Sequence, residues 1–475
     1  MAPKFGTSGL RGLSIELVGS VSALYATAFA HVLLSKGMAK PGSPVLVGRD
    51  FRPSSPEIST TAMAALRRAG LEPIDCGELP TPALALYGMK LNAGSLMITG
   101  SHIPADRNGI KFYRPDGEID KDDETAITGK ATELAGDRSA NLVEVGSGPD
   151  HAERAAQLFM ERNQQILPAG SLRGLKIGVY QHSSVARDMM VTLLEGYGAD
   201  VMPLGRSDIF IPVDTEAVSE ETLEKLAAWA SEHQLDAIVS TDGDADRPLV
   251  ADEHGSPLRG DLLGLIAARF LKAGVLVTPV TSNSGIEAAC GGIVKRTRVG
   301  SPYVIAAMNE ALVQGETGVM GFEANGGLML GSDFTVEGRT LAALPTRDCI
   351  LPLLATLYAS ASAKAPLSGV AAGFSLPIAL SDRIENYPLD KSGALMAFLR
   401  AAPANLATFL APIGTVKSTT DIDGLRVTLD DDSVIHFRPS GNAPEMRCYV
   451  EASSHDAADT LMGKGLALLD GWQPA

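Results

Sequence analysis

The strongest constraint on the fold is a repeated alternation of short apolar runs with helical stretches. Val45–Val47 precedes a helix-like segment at 56–69, and the same order restarts at 175–180 and again at 261–279. Short apolar strands that alternate with helices of about ten to fifteen residues are typical of α/β folds with parallel sheets. The pattern therefore predicts three related α/β domains with mixed, largely parallel sheets.

The last part of the chain has a different pattern of predicted strands and helices. Residues 415–438 alternate as a hairpin around Asp430-Asp431-Asp432, and a helix is predicted near 456–469. We expect a smaller C-terminal α+β domain here, so that the 475 residues form four domains. The predicted bounds are 1–148, 149–257, 258–366 and 367–475, with linkers at 146–150, 251–260 and 359–369. The third domain is expected to close with a long apolar helix from about Arg347 to Ala359.

Charge and composition narrow the class of partner. Forty Lys and Arg residues against 56 Asp and Glu residues give a formal net charge of −16, which argues against nucleic acid and anionic membranes as partners. No apolar run of about 18 residues predicts a membrane span, and the start lacks a secretory signal. The four scattered cysteines are interpreted as buried small side chains. A cytoplasmic protein is expected, in which any anionic ligand binds in a locally basic cleft.

The first chemical motif is Asp242-Gly-Asp-Ala-Asp-Arg247, which we call the aspartate loop, at the end of an apolar strand. Carboxylates at i, i+2 and i+4 can converge on one hard cation, and without a cation they would repel one another. The spacing does not match an EF-hand. The alternative is a solvated acidic turn.

The second motif, the serine loop, runs from Thr99 to Lys111 and also follows a strand. Ser101 can be held at an exposed turn there, where a magnesium ion could polarise a phosphate on its oxygen. Lys111 could transfer a proton or act as a phosphate counter-charge. An ordinary surface loop is the alternative interpretation.

Three further segments carry polar groups. The clamp loop, Arg438–Glu445 with Arg447 just beyond, suits a phosphate dianion, although a plain turn is the alternative. The sugar loop, Gly321–Gly327, places Glu323 and Asn325 after a strand, where they suit sugar hydroxyls. The glycine-rich segment Phe5–Gly12 contains one arginine and fits neither the P-loop nor the GxGxxG pattern.

Taken in this order, the five segments resemble the α-D-phosphohexomutase family over essentially the whole chain, from Gly6 to Glu451. The resemblance implies four domains around a central cleft, with the last domain as a phosphate-binding lid. It implies an isomerase that interconverts hexose 6-phosphate and hexose 1-phosphate through a phosphoserine enzyme and a bound 1,6-bisphosphate. Mannose phosphates are the expected substrates. The alternatives are glucose phosphates, dual mannose and glucose use, and, as the weakest, glucosamine phosphates.

The resemblance also assigns roles to residues. Ser101 matches the phosphorylated catalytic serine, and with Asp242, Asp244 and Asp246 it would bind one Mg²⁺ per chain. The charged groups that the family has near the transferring phosphoryl group match Arg11, Lys111 and Arg247. His102 is a candidate orienter because it is adjacent to the serine, and the alternative is a ring that only orders the loop. The expected substrate-binding residues are Glu323, Asn325, Arg298, Arg438, Ser440, Gly441, Asn442 and Arg447. A hexose 1,6-bisphosphate would be the activator, and a monomer or dimer is expected.

The chain departs from the family pattern at four places. Gly327 and Ser301 stand where relatives have histidines that are candidates for proton transfer, Asn442 replaces the common threonine, and Asn325 replaces the usual serine. The general acid and base are therefore left open. Two other classes of function are weaker alternatives: a non-catalytic sugar-phosphate-binding protein, and a magnesium-dependent phosphatase with Asp242 as nucleophile.

Overall fold

The computed structural model describes residues 3–6, 9–440 and 444–474. The chain forms two compact units. One contains the residues up to Val277 together with Gly300–Gly373, and the other contains Thr278–Val299 together with the residues from Phe374 onward.

The first sheet of the first unit has a parallel centre and antiparallel strands at one side. Its strands follow the order β1-β2-β6-β5-β3-β4, with β7 beside β6. The strand bounds are β1 Lys4–Gly6, β2 Gly9–Leu13, β3 Pro44–Arg49, β4 Glu72–Glu78, β5 Gly94–Ile98, β6 Arg107–Arg114 and β7 Gly117–Glu118. The helices are α1 Ser14–Glu16, α2 Ser22–Ser35, α3 Ser55–Arg68, α4 Thr81–Leu91 and α5 Lys121–Leu134.

The segment Ser14–Ser35 is long and apolar enough to cross a membrane by length and composition alone. It is not one regular helix, because Leu17–Val21 between α1 and α2 contains a break at Val18 and Gly19. More than half of its most apolar stretch is buried inside the fold. Ala26, Phe29 and Leu33 of α2 belong to the apolar core under the first sheet, so the segment has the features of a core helix.

The second sheet follows the order β11-β10-β8-β9, in which β8 pairs in parallel with both β9 and β10. Its strands are β8 Lys176–His182, β9 Asp200–Arg206, β10 Ala237–Thr241 and β11 Pro248–Ala251. The accompanying helices are α6 Ala152–Asn163, α7 Arg187–Gly196 and α8 Glu220–His233. Strand β10 is fully buried and delivers the aspartate loop directly from its carboxyl end.

The third sheet pairs β12 in parallel with β14, and β15 and β18 continue it in antiparallel fashion. The strands are β12 Val275–Pro279, β14 Val319–Phe322, β15 Leu328–Leu330 and β18 Leu344–Asp348, with a separate hairpin of β16 Phe334–Val336 and β17 Arg339–Leu341. The helices of this part are α9 Gly260–Leu271, α11 Ser301–Val313, α12 Ile350–Ala363 and α13 Leu367–Ala372.

The second unit contains an antiparallel sheet in the order β19-β23-β22-β21-β20. Its strands are β19 Ile378–Glu385, β20 Val416–Thr420, β21 Leu425–Leu429, β22 Val434–Pro439 and β23 Glu445–Ala452. The helices are α14 Leu389–Ala401, α15 Pro403–Leu410 and α16 His455–Gly471, and the segment Thr278–Val299 adds α10 Ile286–Cys290 and β13 Ile293–Thr297.

Three α/β domains and a fourth mixed domain confirm the predicted fold class, but local details differ. The small-residue run predicted as a linker from residue 359 continues helix α12 as far as Ala363. Alanine is the best helix former, so such a run extends a helix rather than ending it. Helix α12 begins at Ile350 rather than at Arg347, because Arg347 lies in strand β18. Residues 415–438 form three strands instead of one hairpin.

Candidate active site

Three of the predicted loops leave strands at their carboxyl ends. The serine loop follows β5, the aspartate loop follows β10, and Glu323 comes directly after β14. Ligands of α/β sheets collect at this end of the strands. A hydrogen bond between the Thr81 amide and the Asp244 carbonyl, 2.9 Å long, joins helix α4 to the aspartate loop.

Ser101 lies directly over the aspartate loop. Its hydroxyl donates to Asp242 Oδ2 at 2.5 Å and lies 3.1 Å from His102 Nδ1. The residue is 1% exposed and has a φ of +56°, a left-handed conformation that is rare outside glycine. Gly243 permits this approach, because a Cβ at that position would lie 2.9 Å from the Ser101 carbonyl oxygen. The serine is thus held in a strained turn against a carboxylate.

The backbone of the serine loop rests on a buried arginine. The guanidinium of Arg52 donates to the carbonyls of Ser101 at 3.1 Å, Ile103 at 2.6 Å and Pro104 at 2.7 Å. Its Nε also lies 3.2 Å from Asp50 Oδ2, and neither side chain is exposed. Arg52 therefore holds the strained turn through hydrogen bonds to its backbone carbonyls.

The three aspartates converge on one point. All are buried, and one carboxylate oxygen from each lies within 4.8 Å of the others. Asp244 Oδ1 and Asp246 Oδ1 are buried without a hydrogen-bond partner. Burial, and then the charges of Asp244 and Asp246, raise the pKa of Asp242 to about 8. Orphaned oxygens and mutual repulsion are what a hard cation relieves, so the residues present fit a divalent metal ion.

Four cations surround the aspartates. Lys111 Nζ lies 2.5 Å from both Asp244 Oδ2 and Asp246 Oδ2, and Arg247 Nε lies 3.8 Å from Asp246 Oδ1. Burial tends to raise the pKa of Asp246, but Arg347, Lys111 and Arg247 hold it below its usual range. Arg11, opposite Gly109 in the β2–β6 pair, has its pKa lowered to about 10 by burial and by the neighbouring arginines.

His102 is held between charged groups. Arg247 Nη1 donates to its Nδ1 at 2.8 Å, and its Nε2 lies 3.9 Å from Asp214 Oδ2. Burial, and then Arg247, lower the pKa of this imidazole to about 3. A neutral ring whose Nδ1 accepts from Arg247 carries no positive charge for a phosphate. It can bind the single Ser101 hydroxyl hydrogen only in place of Asp242, which accepts it here.

The sugar loop is ordered by its own polar groups and by one arginine. The Asn325 side-chain carbonyl accepts from the Gly327 amide at 3.0 Å. Glu323 Oε2 lies 3.0 Å from Arg347 Nη1, and Arg347 Nη2 lies 2.8 Å from Asp246 Oδ2. The guanidinium therefore connects the sugar loop to the aspartate loop.

A separate basic surface lies on the sheet of the second unit. Arg383, Arg447 and Arg438 are register partners across β19, β23 and β22, and we call them the arginine row. Like charges directly opposite one another destabilise a sheet unless an anion or carboxylate neutralises them. Asp423 lies 2.9 Å from Arg438 Nε, and Glu445 lies 3.5 Å from Arg447 Nη2.

Comparison with known proteins identifies the family of the first three domains. Family models of the phosphoglucomutase/phosphomannomutase α/β/α domains I, II and III match residues 2–136, 157–255 and 259–375. A protein named phosphomannomutase from Sinorhizobium fredii is 64% identical over 470 residues, which cover 99% of each chain. The chain belongs to the α-D-phosphohexomutase family.

Other relatives of this phosphohexomutase are more distant. A phosphomannomutase from Salmonella muenchen is 41% identical over 96% of this chain and 94% of its own length. A phosphoglucosamine mutase from Thermobifida fusca is 30% identical over 97% and 96%. The crystal structure of a putative phosphomannomutase from Thermus thermophilus has the same fold, with a TM-score of 0.77 at 24% identity and coverage of 99% and 100%.

The predicted residues of the phosphohexomutase fall into two groups. The first unit brings together Ser101, His102, Lys111, Arg11, Arg247, the three aspartates, Glu323 and Asn325. The second unit carries Arg298, Arg438, Ser440 and Arg447, while Gly441 and Asn442 lie outside the described residues. Cys76, Cys349 and Cys448 are buried as predicted, whereas Cys290 is partly exposed.

Two arginines of the site were missed from the sequence. Arg52 stands two residues after Asp50, close to a strand end, and that placement was the available signal. Arg347 is the residue before Asp348 at the end of β18, and the misplaced start of the next helix concealed it. The arginine row also includes Arg383, for which the sequence offered no signal.

Proposed function

We propose that this phosphohexomutase interconverts hexose 6-phosphate and hexose 1-phosphate through a phosphoserine at Ser101 and a bound 1,6-bisphosphate, with mannose phosphates as its preferred substrates. The observation that carries the proposal is the Ser101 hydroxyl, 2.5 Å from Asp242 in a buried cluster of three aspartates. The preference for mannose rests on the relatives at 64% and 41% identity, both named phosphomannomutase.

Asp242, Asp244, Asp246 and phosphorylated Ser101 would hold one Mg²⁺. The buried, unpartnered Oδ1 atoms of Asp244 and Asp246 support this assignment. When bound, such an ion neutralises charge on a transferring phosphoryl group.

The residues of the chain would act mainly by positioning and by charge. In the first half-reaction the bond between phosphorus and Ser101 Oγ breaks, and a bond forms to the free hydroxyl of the hexose phosphate. Arg11, Lys111 and Arg247 would stabilise the transferring group, and Lys111 is also the candidate for moving the proton of the hydroxyl. His102 would orient the serine. In the second half-reaction the other phosphoryl group returns to Ser101, after the bisphosphate turns over.

Recognition of the substrate is assigned to two further sets of residues. Glu323 and Asn325 would bind sugar hydroxyls. The non-reacting phosphate would bind to the clamp and its neighbours: Arg298, Arg438, Ser440, Gly441, Asn442 and Arg447. A hexose 1,6-bisphosphate would restore the phosphoserine and so act as the activator. The four domain bounds, the cytoplasmic location and the monomeric or dimeric state stay predictions.

The proposal is tested by comparing kcat/KM for the 1-phosphates of mannose, glucose and glucosamine, with Mg²⁺ and the matching 1,6-bisphosphate. We expect mannose 1-phosphate to give the highest value. A higher kcat/KM for glucose 1-phosphate would favour the alternative of a dual or glucose-specific enzyme. A higher kcat/KM for glucosamine 1-phosphate would refute the assignment of the sugar.

A further inference from the structure

The side chain of Arg347 connects the sugar loop to the aspartate loop. It is 2% exposed and lies in β18, outside both loops. One guanidinium nitrogen lies 3.0 Å from Glu323 Oε2 and the other lies 2.8 Å from Asp246 Oδ2. A planar guanidinium can hold two carboxylates in one fixed geometry, which a lysine cannot do.

The path of this side chain depends on Gly327. A Cβ at Gly327 would lie 2.8 Å from Arg347 Cδ and 2.9 Å from its Cγ, and both distances are too short for carbon atoms in contact. The absence of a side chain at position 327 therefore opens the channel through which Arg347 reaches the two carboxylates. This is the place where the family pattern has a histidine.

The arrangement also leaves one oxygen of Asp246 available. Arg347 and Lys111 both contact Oδ2, whereas Oδ1 is buried without a hydrogen-bond partner. The arginine therefore fixes the orientation of the carboxylate without occupying the oxygen that would face a cation. Glu323 is fixed in the same way through Oε2 alone.

Arg347 also contributes charge to the buried site. The carboxylates of Asp246, Glu118 and Glu323 all act on its guanidinium. Removal of Arg347 would therefore make the surroundings of the metal position more negative.

We propose that Arg347 is a positioning residue of the phosphohexomutase, which reaches Glu323 through the channel opened at Gly327 and holds it for the sugar hydroxyls. Its contact with Asp246 is made to Oδ2, which Lys111 also holds, and leaves Oδ1 to the metal. The inference rests on the proposed function, because it takes Glu323 as a sugar-binding group. It makes no claim that Arg347 touches the transferring phosphoryl group.

Removal of Arg347 should affect the binding of the sugar and the binding of the metal differently. In Arg347→Ala, Glu323 loses its partner, so KM for the hexose phosphate should rise about tenfold or more. The dissociation constant for Mn²⁺ should stay unchanged or fall, because a positive charge has been removed from the neighbourhood of Asp246. General damage to the fold would instead weaken the binding of both ligands.

The test measures kcat and KM together with Mn²⁺ binding by titration calorimetry, for the wild type, Arg347→Ala and Arg347→Lys. If Arg347→Ala does not fold, Arg347→Lys serves as the test: KM should rise by a smaller factor, and Mn²⁺ binding should stay unchanged because the positive charge is kept. A wild type without mutase activity would refute the proposed function. An active wild type with an unchanged KM in the folded variant, or with weakened Mn²⁺ binding, would overturn this inference alone.

A double-mutant cycle tests the channel. Gly327→Ala should raise KM in the wild-type background, because the new methyl group displaces Arg347. The same substitution should raise KM by a smaller factor in the Arg347→Ala background, because the Arg347 methylene groups are gone and the looser contact with Asn325 Oδ1, at 3.1 Å from the new Cβ, remains. Equal effects in the two backgrounds would show that Gly327 does not act through Arg347.

Discussion

Replacing Arg52 by methionine removes the guanidinium beneath the strained serine turn. Arg52 and Asp50 are both fully buried, and Arg52 donates to the carbonyls of Ser101, Ile103 and Pro104. Breaking a buried ion pair by removing one partner costs about 3–5 kcal/mol, because the other charge is left without compensation. We expect the free energy of unfolding of the first unit to fall by about that amount.

The same substitution should also slow the reaction. A left-handed residue such as Ser101 persists only where its surroundings hold it, at a cost of about 1–3 kcal/mol. Without Arg52 the turn can relax and move the hydroxyl away from Asp242. A displacement of about 1 Å at a reacting group can reduce the rate about a hundredfold. We therefore expect kcat to fall by about that factor, while KM changes little.

A second variant separates the two effects. Asp50→Asn combined with Arg52→Met removes the orphaned charge, so it should recover part of the lost stability. It does not restore the hydrogen bonds to the serine loop, so kcat should stay low. The measurements are urea unfolding and steady-state kinetics at saturating substrate. A stability loss below about 1 kcal/mol, or full recovery of kcat in the double variant, would refute the reasoning.

Three other substitutions give separate checks. Asp244→Asn should abolish turnover and weaken Mn²⁺ binding in calorimetry, because the amide removes the negative charge that the buried carboxylate, with its unpartnered Oδ1, offers to a cation; undiminished Mn²⁺ binding would remove the metal assignment. Arg438→Ala should raise KM about tenfold or more with little change in kcat, whereas Lys417→Ala, an exposed cation of the same sheet, should not. Burial lowers the pKa of His436 from 6.5 to about 4, so the unfolded chain binds more protons in that window and stability falls as the pH drops through it. His436→Gln should lessen this fall by up to about 3 kcal/mol, measured by urea unfolding between pH 7 and pH 4, and an unchanged pH profile would contradict the pKa assignment.

The site features that were predicted from the sequence are those formed by a few residues close together in the chain. The aspartate loop could be recognised because its three carboxylates are alternate residues at the end of one strand. The serine loop was found in the same way. Both depend on a few consecutive residues, and packing of the first sheet's domain against the second sheet's domain then brings the loops together.

The features that were missed depend on packing between distant segments. Arg52 contacts the serine loop from about fifty residues away, and Arg347 reaches Asp246 across the sheets. The segment Thr278–Val299 joins the second unit because groups such as the Ser284 amide bond to Glu451, which is 167 residues further along the chain. A pattern of helices and strands carries no information about such pairings, because each involves a single side chain in a long-range contact.

The central claim is that Ser101 carries the phosphoryl group. The direct measurement is peptide mass spectrometry of the purified enzyme after incubation with a hexose 1,6-bisphosphate and Mg²⁺. The account predicts one phosphate per chain, located on Ser101, and no mutase activity in Ser101→Ala. A phosphate located elsewhere, or wild-type activity in Ser101→Ala, would contradict it.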